Sequence, residues 1–288
     1  MSSLHHRLLL AHDFALINPL QVESALWSDL AATPLLPEKI SVQPELMPRL
    51  VPLRAMSDAT CADLLNRAGR HERYSRHPFF SALLVADGDV PVIAAHLSRR
   101  LVIAMPDAGS ALLRYFDPRV FRHLSWLLTE TQMSLLLGPV THWSWRNMAG
   151  AWQQHMRVDV PSLLSGLRLT PEQWDSLQRL GLLNKSLRQI ECNAPGIVID
   201  DQSARCVDAL LRDAYEQHRL TDESDRRLYA EQGFRFHPHI HRHPQLAERL
   251  ARARECRESY VGACRDLDAT RLLQFATELD QPPRTMLK

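Results

Sequence analysis

Glycine is scarce, at 10 of 288 residues. Loops that cradle phosphate need several glycines close together, because only bare backbone approaches an anion that closely. No such cluster is present, and no Walker loop or Rossmann glycine pattern occurs. The G-x-S-x-G elbow and the H-E-x-x-H zinc motif are missing too, so no catalytic apparatus is legible. The five cysteines, Cys61, Cys192, Cys206, Cys256 and Cys264, are odd in number and none stands in C-x-x-C spacing. That argues against a disulfide framework and for reduced thiols. Nor is charge of one sign in excess. Lys plus Arg is 34 against 33 Asp plus Glu, a formal net charge of +1. A general nucleic-acid binder carries a basic surplus, so no nucleic-acid partner is expected. No apolar run is long enough to span a bilayer. The run over residues 4–17 is broken by His5, His6, Arg7, His12 and Asp13, with no small-residue cleavage site behind it. No membrane partner is expected, and the expected location is the cytoplasm.

Hydrophobic residues, at 45%, are enough for a packed core. Residues 1–147 mix two periods. Strands are expected over 7–17, 49–54, 81–87, 101–105, 111–116 and 140–145, and helices over 20–31, 58–69, 90–99 and 118–137, the last broken near Thr129. The proline-bearing stretch 33–48 reads as an irregular connection, and 70–80 as a basic exposed loop. After about residue 148 the strand signals fade. Helices are expected from Thr170, Asp201, Asp222 and Pro244, the last with a face running on through Tyr260, Val261, Cys264 and Leu267. Tyr215 is expected to face inward, and Gln281-Pro282-Pro283 to begin a frayed tail. The expected fold is mixed α+β or α/β, with a helix-covered β-sheet in an N-terminal lobe (1–147) and an all-helical C-terminal lobe (148–288).

One stretch, Ala111 to Phe121, stands out. It reads as a strand running directly into a helix. Asp117 suits the N-cap, where its carboxylate accepts from free amides, and Pro118 suits the first helical position, which needs no N–H. The text Arg114-Tyr115-Phe116-Asp117-Pro118-Arg119-Val120 resembles the "fRfyDPRv" signature of the DUF4123 family. These are adaptor/chaperone proteins that accompany effectors of the bacterial type VI secretion system. Pro48-Arg49-Leu50-Val51-Pro52-Leu53 resembles the family's "P-x-L-V-x-L" strand, and His96-Leu97-Ser98-Arg99-Arg100 its "HLR" helix end. Gln132 to Val140 resembles its "Q…FFGPV" segment, with leucines in place of aromatics. The order and spacing hold over residues 45–145. The resemblance implies binding to a cognate effector protein and loading onto the VgrG spike protein, with no cofactor and no chemical step.

Arg114, Asp117, Pro118 and Arg119 are therefore family-motif candidates. They either form a polar binding cluster or lock the strand–helix corner. Trp143 and Trp145 alternate in a strand. They either pack one face of a sheet or anchor an interface. The histidine run 237–243 supports the alternative from another class, a metal-dependent or other hydrolase. Its spacing fits no zinc pattern, and its prolines favour a solvated, pH-sensitive loop. No metal site is assigned.

Overall fold

Asp13 is where the chain enters its sheet. Its carboxylate accepts from the Ala86 amide at 2.9 Å and from the Arg54 guanidinium. The computed structural model describes residues 4–38, 40–147, 149–160 and 166–281. Before Asp13, α1 (His6–Leu10) is capped by His5, whose Nδ1 accepts from the Leu8 amide at 3.2 Å. Only β1 (Phe14–Ile17) is extended. The single strand expected over 7–17 is thus corrected. His12 ends the helix by turning its Nδ1 back to the Leu8 carbonyl at 2.7 Å. No α-helix forms over 20–31 either; a 3-10 turn at Ser24–Leu26 is what remains. There the Asn18 side chain and the Trp27 indole satisfy the backbone locally, at Leu20 and Val22, which competes with helix formation.

The elements then follow as β2 (Thr33–Pro34), β3 (Arg49–Pro52), α2 (Asp58–Tyr74), β4 (Ala82–Ala86), α3 (Val90–Arg100), β5 (Val102–Ala104), β6 (Ser110–Leu112), α4 (Pro118–Leu127), α5 (Glu130–Leu137), β7 (Val140–Arg146) and β8 (Trp152–Met156). Helix α2 extends to Tyr74, into the stretch expected to be a basic loop. The break between α4 and α5 lies at Leu128 and Thr129, where Thr129 and Gln132 form a capping box. Strand β8 was not legible. Gln153 and Gln154 interrupt its apolar pattern, as an edge strand allows.

Six strands form one antiparallel sheet in the order β2-β3-β1-β4-β7-β8, and β5 and β6 form a separate hairpin. Alternation places Ala15, Ile17, Val51 and Leu83 on one face of the sheet, in a core with Leu9 of α1 and Leu64 of α2. The other face carries Trp143 and Trp145, which meet Phe121 of α4. Phe121 stacks on Trp143 at 4.5 Å and tilts against Trp145 at 5.1 Å.

The chain divides into two compact units, Met1–Trp174 and Asp175–Lys288. The second contains most of α6 (Pro171–Asn193), then α7 (Asp201–Glu216), α8 (Glu223–Arg235), α9 (Pro244–Arg254), α10 (Tyr260–Ala263) and α11 (Ala269–Asp280). Two buried carboxylates tie its helices together. Asp208 accepts from Ser176 at 2.7 Å and from Arg179 at 3.0 Å. Glu231 takes Gln189 at 2.6 Å, Asn193 at 2.9 Å and Arg235 at 2.5 Å. Two expectations fail here. Tyr215 is exposed, lying under the Arg226 guanidinium at 5.5 Å. The helix from Pro244 stops at Arg254, since Cys256 takes a positive φ of 56° and Ser259 caps a new turn. Met148, where the character was expected to change, and the tail beyond Gln281 lie outside the described residues.

Gly138 ends α5 at φ +55°, and a Cβ there would overlap the His96 ring. The two motif segments are thus packed together, with His96 Nε2 bonded to the Leu136 carbonyl at 3.0 Å. Gly138→Ala is expected to cost roughly 2–4 kcal/mol through strain and overlap. A melting temperature equal to the parent's would show that the His96 ring moves aside freely.

Candidate functional site

The signature is not a continuous strand-into-helix, as its alternation suggests. Strand β6 stops at Leu112, and a turn closed by the Asp117 amide on the Arg114 carbonyl at 2.9 Å intervenes before α4. The reason lies in the side chains. Leu113, Tyr115 and Phe116 are all buried, and adjacent residues 115 and 116 cannot both turn inward from a flat strand. Tyr115 donates its hydroxyl to the Leu97 carbonyl at 2.7 Å, near the end of α3. Burial pushes its phenol well above the ordinary tyrosine range.

Asp117 caps α4, as expected from its type and from Pro118 behind it. It is 3% exposed. Oδ1 accepts from the Arg119 amide at 2.9 Å and from Arg119 Nε at 3.0 Å, while Oδ2 accepts from Arg119 Nη2 at 2.6 Å. Arg114 Nη2 lies 3.8 Å from Oδ2. Burial alone would raise the carboxyl pKa. The hydrogen bonds and charge of Arg119, with Arg114 behind them, outweigh it and hold the group below its ordinary value. Arg114, Asp117 and Arg119 therefore come together. The carboxylate is used in holding the corner, and the two guanidinium groups are half exposed. Pro118 is buried at the start of α4.

Trp143 and Trp145 share one sheet face and are buried against Phe121. Sequence reasoning missed His12 and Ser144, which meet at 2.8 Å. They lie 132 residues apart, and no motif marks them. The other imidazole nitrogen is held by the Leu8 carbonyl rather than by a carboxylate, and Ser144 is enclosed within the sheet. The pair ties α1 to β7. Burial lowers the His12 pKa from the ordinary value. His96 falls to about 4, through burial and through Arg100, Arg99 and Arg157 nearby.

Several arginines of α2 and of the region around α9 face carboxylates. Arg67 pairs with Asp29 and Asp63 at 2.6 Å each. Arg249 pairs with Asp266, Arg252 with Glu258, and Arg257 with Glu255.

The histidine run is not a solvated loop throughout. His237 and His239 are near the surface, but His241 and His243 are buried, about a 3-10 turn at Ile240–Arg242. His243 stacks on Phe275 at 3.9 Å and bonds Glu278 at 2.9 Å. His241 stacks on Tyr229 at 3.6 Å, and neither ring nitrogen has a hydrogen-bond partner. Among the described residues no group of three or more His, Cys, Asp or Glu side chains is arranged to hold a metal ion. The prolines that suggested a loop serve another end, for Pro244 starts α9 and His243 caps it.

Two outcomes are expected. Asp117→Ala removes the cap and leaves Arg119 without its carboxylate, at a cost of roughly 1–3 kcal/mol. Chemical denaturation followed by tryptophan fluorescence reads this, and parent-like stability would refute the structural role. The second concerns pH. Burial, aided by His218, lowers the His241 pKa to about 3 from 6.5. Above 6.5 the ring is neutral in both states. Below it the unfolded chain binds a proton that the folded chain refuses, so stability is lost as pH falls towards 3. His241→Phe keeps the stack and deletes the titration. The acid-driven rise in hydrogen exchange of α8 amides between about pH 7 and about pH 5 is expected to flatten. An unaltered rise would assign it to other groups.

Residues 18–135 match the model of a family described as a domain of unknown function, DUF4123. No curated protein and no solved structure matches the chain. The matched span starts at Asn18, directly after β1, and runs into α5. It thus contains the hairpin β5–β6, the Tyr115–Leu97 bond and the Asp117 cap. The N-terminal unit thus matches the DUF4123 model over a span that includes the signature its sequence resembles.

Proposed function

We propose that the protein is an adaptor-chaperone that binds one cognate effector of a bacterial type VI secretion system and helps load it onto the VgrG spike. It works in the cytoplasm, by contact, with no cofactor and no chemical step. The observation that carries this reading is the DUF4123 match over residues 18–135, together with the role that family resemblance implies. The disposition of the signature is in keeping with it. Its acid and aromatic residues build the corner, and its arginines stay at the surface, where a protein partner can meet them. Among the described residues no helix is long and apolar enough to cross a membrane. The hydrolase alternative depended on an accessible histidine run, and two of its members, His241 and His243, are packed on aromatic rings.

An adaptor covers surface rather than turning over substrate, so it needs an extended contact, of about 1,200–2,000 Å² or more for a stable complex. Co-expressed with the effector encoded beside it, the protein is expected to co-purify in a stoichiometric complex and raise the effector's soluble yield. Deletion is expected to block export of that effector while others still leave the cell. Loss of every effector together, or recovery of the protein alone, would sink the reading.

A further inference from the structure

The hairpin β5–β6 sits apart from the main sheet and joins α3 to the signature turn. Its register is Val102 opposite Leu112, Ile103 opposite Ala111 and Ala104 opposite Ser110. The Leu113 amide donates to the Leu101 carbonyl at 2.8 Å and the Met105 amide to the Gly109 carbonyl at 3.2 Å. These bonds fix which pairs face each other. Residues 101, 103, 105, 109, 111 and 113 turn their backbone groups inward, and the alternate residues turn theirs outward. The free edge of β6 therefore offers the amides and carbonyls of Ser110 and Leu112.

The side chains divide the same way. Leu101, Ile103 and Leu113 are buried. The opposite face carries Ala104, Ser110 and Leu112, all exposed, with Leu112 at 37%, and half-buried Val102. No charge lies among these four and no proline or lysine stands on the edge; the shortness of β6 is what limits its pairing. The base of the hairpin is cationic. Arg99 and Arg100 end α3 immediately before β5, and Arg114 and Arg119 follow β6. Over residues 99–119 these four arginines face two acids, Asp107 and Asp117. Asp117 is buried and shared by Arg114 and Arg119. Among the described residues no carboxylate lies within ion-pair distance of Arg99 or Arg100. Arg99 reaches only the Ala95 carbonyl, at 3.3 Å.

We infer that the free edge of β6 and the arginines at the hairpin's base form a docking site for an extended, acidic segment of a partner protein, which adds as a third strand beside Ser110–Leu112. An incoming strand satisfies the outward amides and carbonyls. Its apolar side chains cover Leu112, and its carboxylates meet Arg99, Arg114 and Arg119. A hairpin of three-residue strands is marginal by itself, and a third strand stabilises it. The short edge makes a modest contact, so charge governs encounter and register. The inference rests on the proposed adaptor role only in supposing that the segment belongs to the effector or the spike.

The probe is a fluorescein-labelled nonapeptide of alternating valine and glutamate, titrated by polarisation against the full chain. Saturable binding is expected, weakening steeply with salt. The valine–lysine counterpart is expected to bind at least tenfold more weakly. So is the acidic peptide N-methylated at alternate residues, which keeps its charge and loses its edge-facing amides. Arg99→Gln with Arg114→Gln is expected to abolish binding, any fall in melting temperature being matched by Arg114→Gln alone, since Arg114 also faces Asp117; Ser110→Pro, which removes an outward amide without touching the hairpin's own bonds, is expected to weaken binding as well. Equal binding of acidic and basic peptides, indifference to N-methylation, or full binding by the double variant would overturn the inference. If the double variant still forms the full effector complex, the docking site is wrong and the adaptor reading stands. If the peptide binds as described while no effector complex forms in the parent, the reverse holds.

Discussion

The Tyr115 hydroxyl donates to the Leu97 carbonyl from a position closed to water, and the N-terminal unit is organised around that bond. The carbonyl lies in the last turn of α3, where helical carbonyls lack intrahelical partners. The ring that delivers the hydroxyl packs edge-on against Trp143 of β7 at 5.7 Å and against Phe116 at 6.3 Å. One side chain thus joins a helix end, the sheet and the signature turn. Two residues on, Asp117 sets the direction of α4, and that direction brings Phe121 flat onto Trp143. A phenylalanine at 115 would keep the packing and leave the carbonyl unpaired, which is the more costly half of a broken hydrogen bond.

His96 and Gly138 form a second contact of the same kind. The residues are 42 positions apart, one in each of two motif segments. The glycine is required because its φ is positive and because the imidazole occupies the space a Cβ would fill. The Arg157 guanidinium then closes on the Gly138 carbonyl. Burial keeps the His96 ring neutral, with Arg99, Arg100 and Arg157 opposing its protonation. A neutral ring suits its task, which is to fill space and bond one carbonyl.

Local chemistry made part of this legible. Asp117-Pro118, the break near Thr129, and the starts at Asp201, Asp222 and Pro244 are readable because capping acts over three or four residues. β3, β4 and β7 are legible because they carry apolar or aromatic runs. What failed was set by distant partners. The strand expected over 111–116 ends at Leu112 because Tyr115 must reach Leu97. The helix expected over 20–31 yields to side-chain bonds from Asn18 and Trp27. β8 has no hydrophobic alternation because only one of its edges is paired and much of its surface is open. The histidine run misled for a related reason. A histidine in a loop and one stacked on Tyr229 have the same neighbours in sequence. The His12–Ser144 pair, which spans the unit, left no trace at all.

The division of labour within the signature follows from burial. A binding residue must be reachable, and a residue that sets a corner must not be. Tyr115, Asp117 and Pro118 are enclosed, so substituting them alters the fold before it alters any contact. Arg114 and Arg119 are half exposed where they meet the Asp117 carboxylate, close in sequence to an uncharged hairpin edge. A motif can therefore combine two demands in seven residues. Its four central residues, Tyr115 to Pro118, serve the interior, and the flanking arginines present a surface whose shape the interior fixes. The same acid serves both ends, because Asp117 caps α4 with Oδ1 and holds the Arg119 guanidinium with both oxygens. Removing the carboxylate would release the guanidinium as well as the helix. The two effects separate only when the arginines themselves are changed, and the structural and binding contributions of the corner are distinguishable on that basis.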